Sequence, residues 1–333
     1  MRRKLYIGAL LGAILFLMIA VHSIQKTTII PLTFSTSRIQ MKNQTLPVLE
    51  SKRVQLCSCL SCLADTGASE WFAQHFDHQQ QPYFTGREKD IDPVSLKWWL
   101  SLQASSGTLK EVSENMFKVI SSPPTDETPR ENQCRKCAVV GNSGNLLGSK
   151  HGALIDSHST VIRMNKAVIR GYELDVGNQT THHFMYPESA IDLSPGVRLV
   201  LLPFKLLDME WLSSALSTGE IKMTYMRVKS LVRADKYKVI VVNPAFFKYV
   251  HDKWTEHHGR YPSTGIIALI FALHICDEVS VFGYGADKYG NWHHYWENNR
   301  NAGAFRKTGV HNADYETKVI QRLHAEGKIK LFR

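Results

Sequence analysis

After its first two dozen residues, the 333-residue chain has no apolar run long enough to cross a bilayer as a helix. The strongest later run, residues 266–275, is too short for that and reads as a buried core helix. G-x-G-x-x-G is missing, as are the P-loop pattern and His-Glu-x-x-His. The commonest routes to dinucleotides, P-loop triphosphates and zinc-protease chemistry are therefore closed. No low-complexity stretch dominates, so the chain is not a disordered scaffold. Acidic residues are outnumbered: 30 Asp and Glu face 40 Lys and Arg, a formal charge of +10. That balance suits anionic partners without choosing among them.

What is present begins at the N-terminus. Met1-Arg2-Arg3-Lys4 is a basic cluster, and residues 5–24 then carry no charged side chain apart from His22. A run of about 20 apolar residues spans a bilayer, and the basic flank stays cytosolic. The chain thus reads as a type II membrane protein: a cytosolic tail over 1–4 and an uncleaved signal anchor over 5–24. A Thr-, Ser-, Gln- and Lys-rich stem over 25–56 and a lumenal domain over 57–333 complete the expected layout. A cleaved signal peptide is the competing reading, but no small-residue cleavage site clearly follows the run. A lumenal protein rarely meets nucleic acid, so the basic balance points to a nucleotide or nucleotide-sugar. Asn43 and Asn178 head sequons.

The six cysteines are Cys57, Cys59, Cys62, Cys134, Cys137 and Cys276. An oxidising lumen and an even count favour disulfides. The spacing Cys57-x-Cys59-x2-Cys62 with Cys134-x2-Cys137 also fits zinc ligands. Spacing alone leaves the pairing open.

Helical patterns cover residues 71–120, around Trp71-Phe72 and Trp98-Trp99-Leu100, and residues 121–132 read as a loop. From Cys137 onward, short apolar runs alternate with helical segments. Residues 138–140, 161–164, 181–185, 197–202, 238–242 and 278–282 read as strands; 264–275 and 314–325 read as helices. Such alternation predicts an α/β domain with a mostly parallel sheet, ligands binding beyond the carboxyl ends of its strands.

Four segments carry candidate chemistry. Gly141-Asn142-Ser143-Gly144-Asn145 follows a strand, and its small residues let a backbone approach a phosphate or ribose; a plain tight turn needs the same residues. Tyr261-Pro262-Ser263-Thr264-Gly265 opens the apolar helix, where hydroxyls and amides suit an anion, although ordinary capping needs one hydroxyl. Asn291-Trp292-His293-His294-Tyr295-Trp296-Glu297 pairs histidines with aromatics, as an acid–base site or a solvated loop does. His311 stands just before the last helix with Glu316 five residues on. A helix N-terminus disfavours the imidazolium and keeps such a histidine neutral, as a base must be; a surface or capping histidine is the plainer alternative.

Together and in this order, these segments resemble the sialyltransferases of glycosyltransferase family 29. CAVVGNSGNL, IDSHSTVIRMNKA and GYELDVGNQTT are similar to its large motif, and YPSTGIIALIFALHICDEVSVFG to its small motif. HHYWE is similar to the third motif, and HNADYE has the H-x4-E form of the very small motif. Within the family, HGRYPSTG, FGYGADKYGNWHHYWENN and AGAFRKTGVH look most like the β-galactoside α2,3-sialyltransferases that act on Galβ1,3GalNAc of core 1 O-glycans. An enzyme of different acceptor or linkage, the glycolipid-directed one included, and a non-catalytic lumenal glycan-binding protein are the alternatives.

The resemblance implies a single Rossmann-like domain of GT-A variant type in the Golgi membrane. It also implies an inverting, metal-independent displacement with CMP-sialic acid as donor. His311 would be the general base and His294 would hydrogen-bond the departing phosphate. Asn142, Ser143, Asn165, Tyr186, Ser189, Ser263, Thr264, Gly265, Gly283, Gly285 and Trp292 would meet the donor. Gln103, Tyr225 and Tyr261 would meet the acceptor. The resemblance also implies the bridges Cys57–Cys62, Cys59–Cys134 and Cys137–Cys276. One departure stands at Gln179, where the large motif usually has Lys; no role is carried over to it.

Overall fold

A computed structural model describes residues 57–59, 62–63, 69–103, 107–121, 134–298 and 308–333. The expected tail, anchor, stem and Asn43 sequon lie outside these residues. Among the described residues, no helix is long and apolar enough to cross a membrane. They belong to one compact unit, Val54–Arg333.

Seven strands form one sheet: β1 Lys136–Val140, β2 Thr160–Met164, β3 His182–Met185, β4 Arg198–Leu201, β5 Val239–Val241, β6 Glu278–Phe282 and β7 Lys330–Phe332. Their order is β5-β4-β3-β2-β1-β6-β7, and every pairing is parallel. Six strands fall where the apolar runs place them. β7 was not expected, because Lys-Leu-Phe is too short to show a period; pairing with Ser280–Phe282 makes it a strand. The chain winds outward from β1 to β5, then returns to lay β6 on the other side of β1. Connections therefore diverge beyond the carboxyl ends of β1 and β6, which opens a crevice there.

A parallel sheet needs both faces covered. The covering helices are α1 Glu70–His75, α2 Pro93–Leu102, α3 Leu109–Val119, α4 Leu206–Ala215, α5 Pro244–Tyr249, α6 Thr264–Ile275 and α7 Ala313–Ala325. Strand alternation sorts the residues. Val139, Phe184 and Val200 pack with α6 and with Val319 and Leu323 of α7. Leu199, Leu201 and Val241 pack with apolar residues of α2, α3 and α4. Ala138, Val140, Val161 and Phe282 enclose Tyr295.

α6 is apolar all round, and Ile266 through Leu273 are at most 2% exposed. A helix of that pattern belongs inside. Phe271 packs edge-on against Phe184 at 5.1 Å between ring centroids. Truncating such a phenylalanine to alanine costs about 3–5 kcal/mol, a large part of a domain's stability.

The bridges are Cys57–Cys62, Cys59–Cys134 and Cys137–Cys276, and no described cysteine is free. This is the pairing that the resemblance implies. Cys59, Cys134 and Glu278 cluster as metal ligands do, but both sulfurs are bonded to each other, so no thiolate is left for zinc. Cys137–Cys276 ties the start of β1 to the end of α6.

Candidate active site

The turn after β1 lies in the crevice, clasped by main-chain bonds from two other segments. The Gly141 amide donates to the Phe282 carbonyl (2.8 Å) and Ser143 to Gly283 (3.0 Å). Gly144 donates to the His293 carbonyl (2.7 Å), and Tyr295 donates to Asn142 (3.1 Å). A Cβ on Gly141 would stand 2.3 Å from the Gly283 oxygen. Gly283 has φ +69°, and its Cβ would stand 2.4 Å from Leu146 Cδ1. The small residues are thus a condition of closing these strand ends together.

Three carboxamides line this turn. Asn142 Nδ2 donates to the Met164 carbonyl (3.1 Å) and Asn145 Nδ2 to Tyr284 (2.9 Å). Asn165 sits at φ +58°, a left-handed conformation that asparagine tolerates. Its amide donates to Phe184 (2.8 Å), and its carbonyl accepts from His183 Nε2 (2.7 Å). Burial pushes His183 down to about 4, so it is a neutral structural donor. The Oδ1 atoms of Asn142, Asn145 and Asn165 are buried without a partner in the protein. Each such atom costs about 1–3 kcal/mol, and folds rarely tolerate them without a function. Three acceptors without a protein partner around one turn suit a ligand rich in hydroxyl and amine donors. Asn145 had no place among the expected donor residues; nothing in its position within the turn sets it apart.

The opening of α6 closes another side. Ser263 Oγ accepts from the Ile266 amide (3.2 Å) and donates to Glu316 of α7, while the Ser263 amide donates to Glu316 Oε1 (2.8 Å). The Ser263 hydroxyl is therefore a cap and a tether, which is the plainer of the two readings of this residue. The first-turn amides of Thr264 and Gly265 keep the anion-binding geometry of a helix start. Tyr284 donates to the Gly265 carbonyl (2.9 Å), which ties α6 to the segment after β6. Gly285 has φ +85° in that segment, and Trp292 is half-buried further on. Ser143 Oγ caps the Asn145 amide (3.2 Å). Ser189 closes its own turn with Tyr186, accepting from the amide and donating to the carbonyl, both at 3.2 Å.

Two histidines carry distinct arrangements. His294 Nδ1 donates to Glu297 Oε1 at 2.9 Å, and its ring stacks on Trp296 at 4.6 Å. The carboxylate orients the ring and leaves Nε2 facing away from Glu297. His294 also bridges Ser143 of the β1 turn. His311 Nδ1 donates to the Tyr261 carbonyl at 2.8 Å, because a carbonyl only accepts. In the neutral ring, Nε2 then bears the lone pair. Burial lowers its pKa, while the Tyr261 bond works the other way. Asn312 caps α7 one residue further on, so His311 stands at the positive end of the helix.

Tyr261 joins the expected acceptor residues. Its ring meets His311 edge-on at 5.1 Å, and Gln103 hydrogen-bonds its side chain. Arg260 holds the Leu102 carbonyl at the end of α2, beside Gln103. Tyr186 and Tyr261 both pack on Phe204, at 5.7 and 5.2 Å, and burial pushes Tyr186 up to about 12. The structure thus groups Tyr186 with Tyr225 and Tyr261.

The large-motif loop is held by its backbone. Buried Arg163 donates to the carbonyls of Val176 (2.6 Å) and Gln179 (3.0 Å). Asp156 accepts from the Asn178 (2.9 Å) and Gln179 (2.8 Å) amides. Gln179 therefore serves through main-chain atoms, and its exposed side chain accounts for the departure from Lys. One D-x-D triplet, a pattern that many metal-dependent sugar transferases use, occurs at Asp90-Ile91-Asp92. Asp92 caps α2, and Asp90 bonds Thr85 and Arg87, so the pair is not a free chelate.

Residues 84–328 match the Glycosyltransferase family 29 (sialyltransferase) profile. The rat CMP-N-acetylneuraminate-beta-galactosamide-alpha-2,3-sialyltransferase 2 is 55% identical over 279 residues, 83% of this chain and 80% of its own. The human CMP-N-acetylneuraminate-beta-galactosamide-alpha-2,3-sialyltransferase 1 is 47% identical over 283 residues, 83% of this chain and 82% of its own. A mammalian sialyltransferase crystal structure superposes with a TM-score of 0.77 at 45% identity, covering 83% of this chain and 98% of that one. A mammalian sialyltransferase in complex with Gal-beta-1-3GalNAc-ortho-nitrophenol gives 0.76 at 43% identity, with coverage of 83% and 98%. A fold wound about the β1/β6 crevice, four motifs meeting there and these likenesses have one reading: the chain is a sialyltransferase and belongs to glycosyltransferase family 29.

Proposed function

We propose that this enzyme transfers sialic acid from CMP-sialic acid to the 3-hydroxyl of the terminal galactose in Galβ1,3GalNAc glycans. The observation that carries the reading is the His311–Tyr261 bond, which makes Nε2 the basic nitrogen of a ring that packs against Tyr261. Nε2 takes the proton from the galactose hydroxyl as its oxygen attacks the anomeric carbon, and CMP departs from the opposite face with inversion. Asn142, Asn145 and Asn165 receive the donor's hydroxyls and amine, and the α6 amides of Thr264 and Gly265 face its anionic groups. His294, oriented by Glu297, hydrogen-bonds the departing phosphate, which lowers the barrier without a metal ion. The names of the relatives and the disaccharide complex of the similar crystal structure support the linkage and acceptor. The basic cluster and apolar run over residues 1–24 support a type II anchor in the Golgi membrane, with the catalytic domain lumenal. Galβ1,3GalNAc-bearing glycoproteins or glycolipids are then its partners.

The test is a secreted form of residues 50–333 given CMP-sialic acid and Galβ1,3GalNAc with chelator present, followed by linkage analysis of the product. An α2,3-linked product on galactose is expected. A different linkage, or donor binding without turnover, would refute the proposal; loss of transfer on chelation would refute its metal-free step.

A further inference from the structure

Three charged side chains beneath the acceptor tyrosines have no part in the chemistry above. The side chains of Lys205, Glu188 and Asp208 are 5%, 4% and 0% exposed. Lys205 Nζ stands 2.6 Å from Asp208 Oδ1 and 3.6 Å from Glu188 Oε1. Burying three charges is costly, and well-packed apolar side chains would often do as well for stability alone. Their partners show what the arrangement holds in place.

Asp208 Oδ2 accepts from the amides of Phe204 (2.8 Å) and Lys205 (3.2 Å), fixing the segment after β4 at the start of α4. Phe204 is the ring on which Tyr186 and Tyr261 both pack. Glu188 lies in the segment after β3 and accepts from the Thr224 hydroxyl. Lys205 Nζ lies over the ring of Tyr225, 5.2 Å from its centroid, within cation–π range. Thr224 and Tyr225 belong to a tight turn, bridged between Met223 and Arg227, in which Met223, Tyr225 and Met226 are 54%, 66% and 49% exposed. So exposed a turn needs an anchor beneath it. Partial burial raises the pKa of Tyr225, and the charge of Glu188 raises it further.

We propose that Lys205, Glu188 and Asp208 form a positioning unit that sets the 222–228 turn, and with it Tyr225, for the acceptor sugar. Glu188 grips the turn through Thr224, Lys205 holds the Tyr225 ring from below, and Asp208 locks Lys205 and Phe204 to α4. The unit acts on acceptor recognition and leaves the donor crevice alone. It rests on the reading of Tyr225 as an acceptor-side residue.

The experiment compares Thr224→Val, Lys205→Met and Tyr225→Leu in the secreted enzyme. It measures KM for Galβ1,3GalNAc, KM for CMP-sialic acid, and acceptor-independent hydrolysis of CMP-sialic acid. Thr224→Val changes one hydroxyl on a surface turn and leaves the fold intact, so it keeps the test decisive where Lys205→Met fails to fold. Thr224→Val should raise the acceptor KM about fivefold or more, with donor KM and donor hydrolysis within twofold of wild type. Lys205→Met should raise the acceptor KM further. If Tyr225→Leu raises the acceptor KM while Thr224→Val leaves it unchanged, the positioning role is wrong and the acceptor reading survives. If donor and acceptor KM rise together in Thr224→Val, the unit is merely structural and the proposal falls. If Tyr225→Leu leaves the acceptor KM unchanged, the acceptor reading of Tyr225 fails and takes the inference with it.

Discussion

The Nδ1 proton of His311 is held by the Tyr261 carbonyl at 2.8 Å, so the ring's remaining nitrogen is the basic one. Burial lowers the pKa of this imidazole, so it is neutral over a wider range than an exposed histidine. The acid limb of the pH–rate profile for transfer should accordingly fall below pH 6.5, the ordinary histidine value. The matching stability contribution has the same sign. It is complete above 6.5 and is lost as pH falls through the lowered folded value. An acid limb at 6.5 or higher would contradict the buried-base account.

Glu316 gives the opposite sign. It lies buried against Ser263, and burial pushes its carboxyl from 4.5 up to about 7 against the lowering effect of the Ser263 bonds. Its contribution to stability is complete below 4.5 and is lost as pH rises through about 7. Glu316→Gln keeps an acceptor for the Ser263 amide and removes the charge. Thermal unfolding of Glu316→Gln should show a flatter midpoint-against-pH curve than wild type between 4.5 and 7. Parallel curves would refute the assignment.

Asn165 separates binding from folding. Asn165→Gly keeps the φ of +58° and deletes a carboxamide whose oxygen has no partner in the protein. The thermal midpoint should stay near wild type, while KM for CMP-sialic acid rises about tenfold, the worth of one good hydrogen bond. An unchanged donor KM would remove Asn165 from the donor site.

The Cys137–Cys276 bridge spans 139 residues, and in the chain-entropy view closing so long a loop contributes about 5 kcal/mol. Replacing both cysteines by alanine should lower the guanidinium midpoint of unfolding substantially. A midpoint equal to wild type would show that the β1–α6 contact stands without its bridge.

The sheet was legible because a buried parallel strand is a near-continuous apolar run, as in β1, β4 and β5, and because α6 is apolar on every side. β7 was not, since its three residues carry no periodic signal. The glycines of the β1 turn showed a close approach, but only the pairing with residues 282–283 and 293–295 shows what approaches. His311 and His294 were readable from motif resemblance. Their tautomers were not, because each depends on a partner, Tyr261 or Glu297, identified only in the folded chain. Ser263 was readable as a helix cap; its other partner, Glu316, is 53 residues away, too far for any local pattern to reveal the tether. Lys205, Glu188 and Asp208 gave no sign at all, since charges in sequence look alike whether solvated or buried.

The most direct measurement is the turnover of His311→Ala with saturating CMP-sialic acid and Galβ1,3GalNAc, checked for folding by its thermal midpoint. The account predicts a loss of about 100-fold or more in kcat with both substrates still bound. A folded variant that transfers sialic acid at close to the wild-type rate would contradict it.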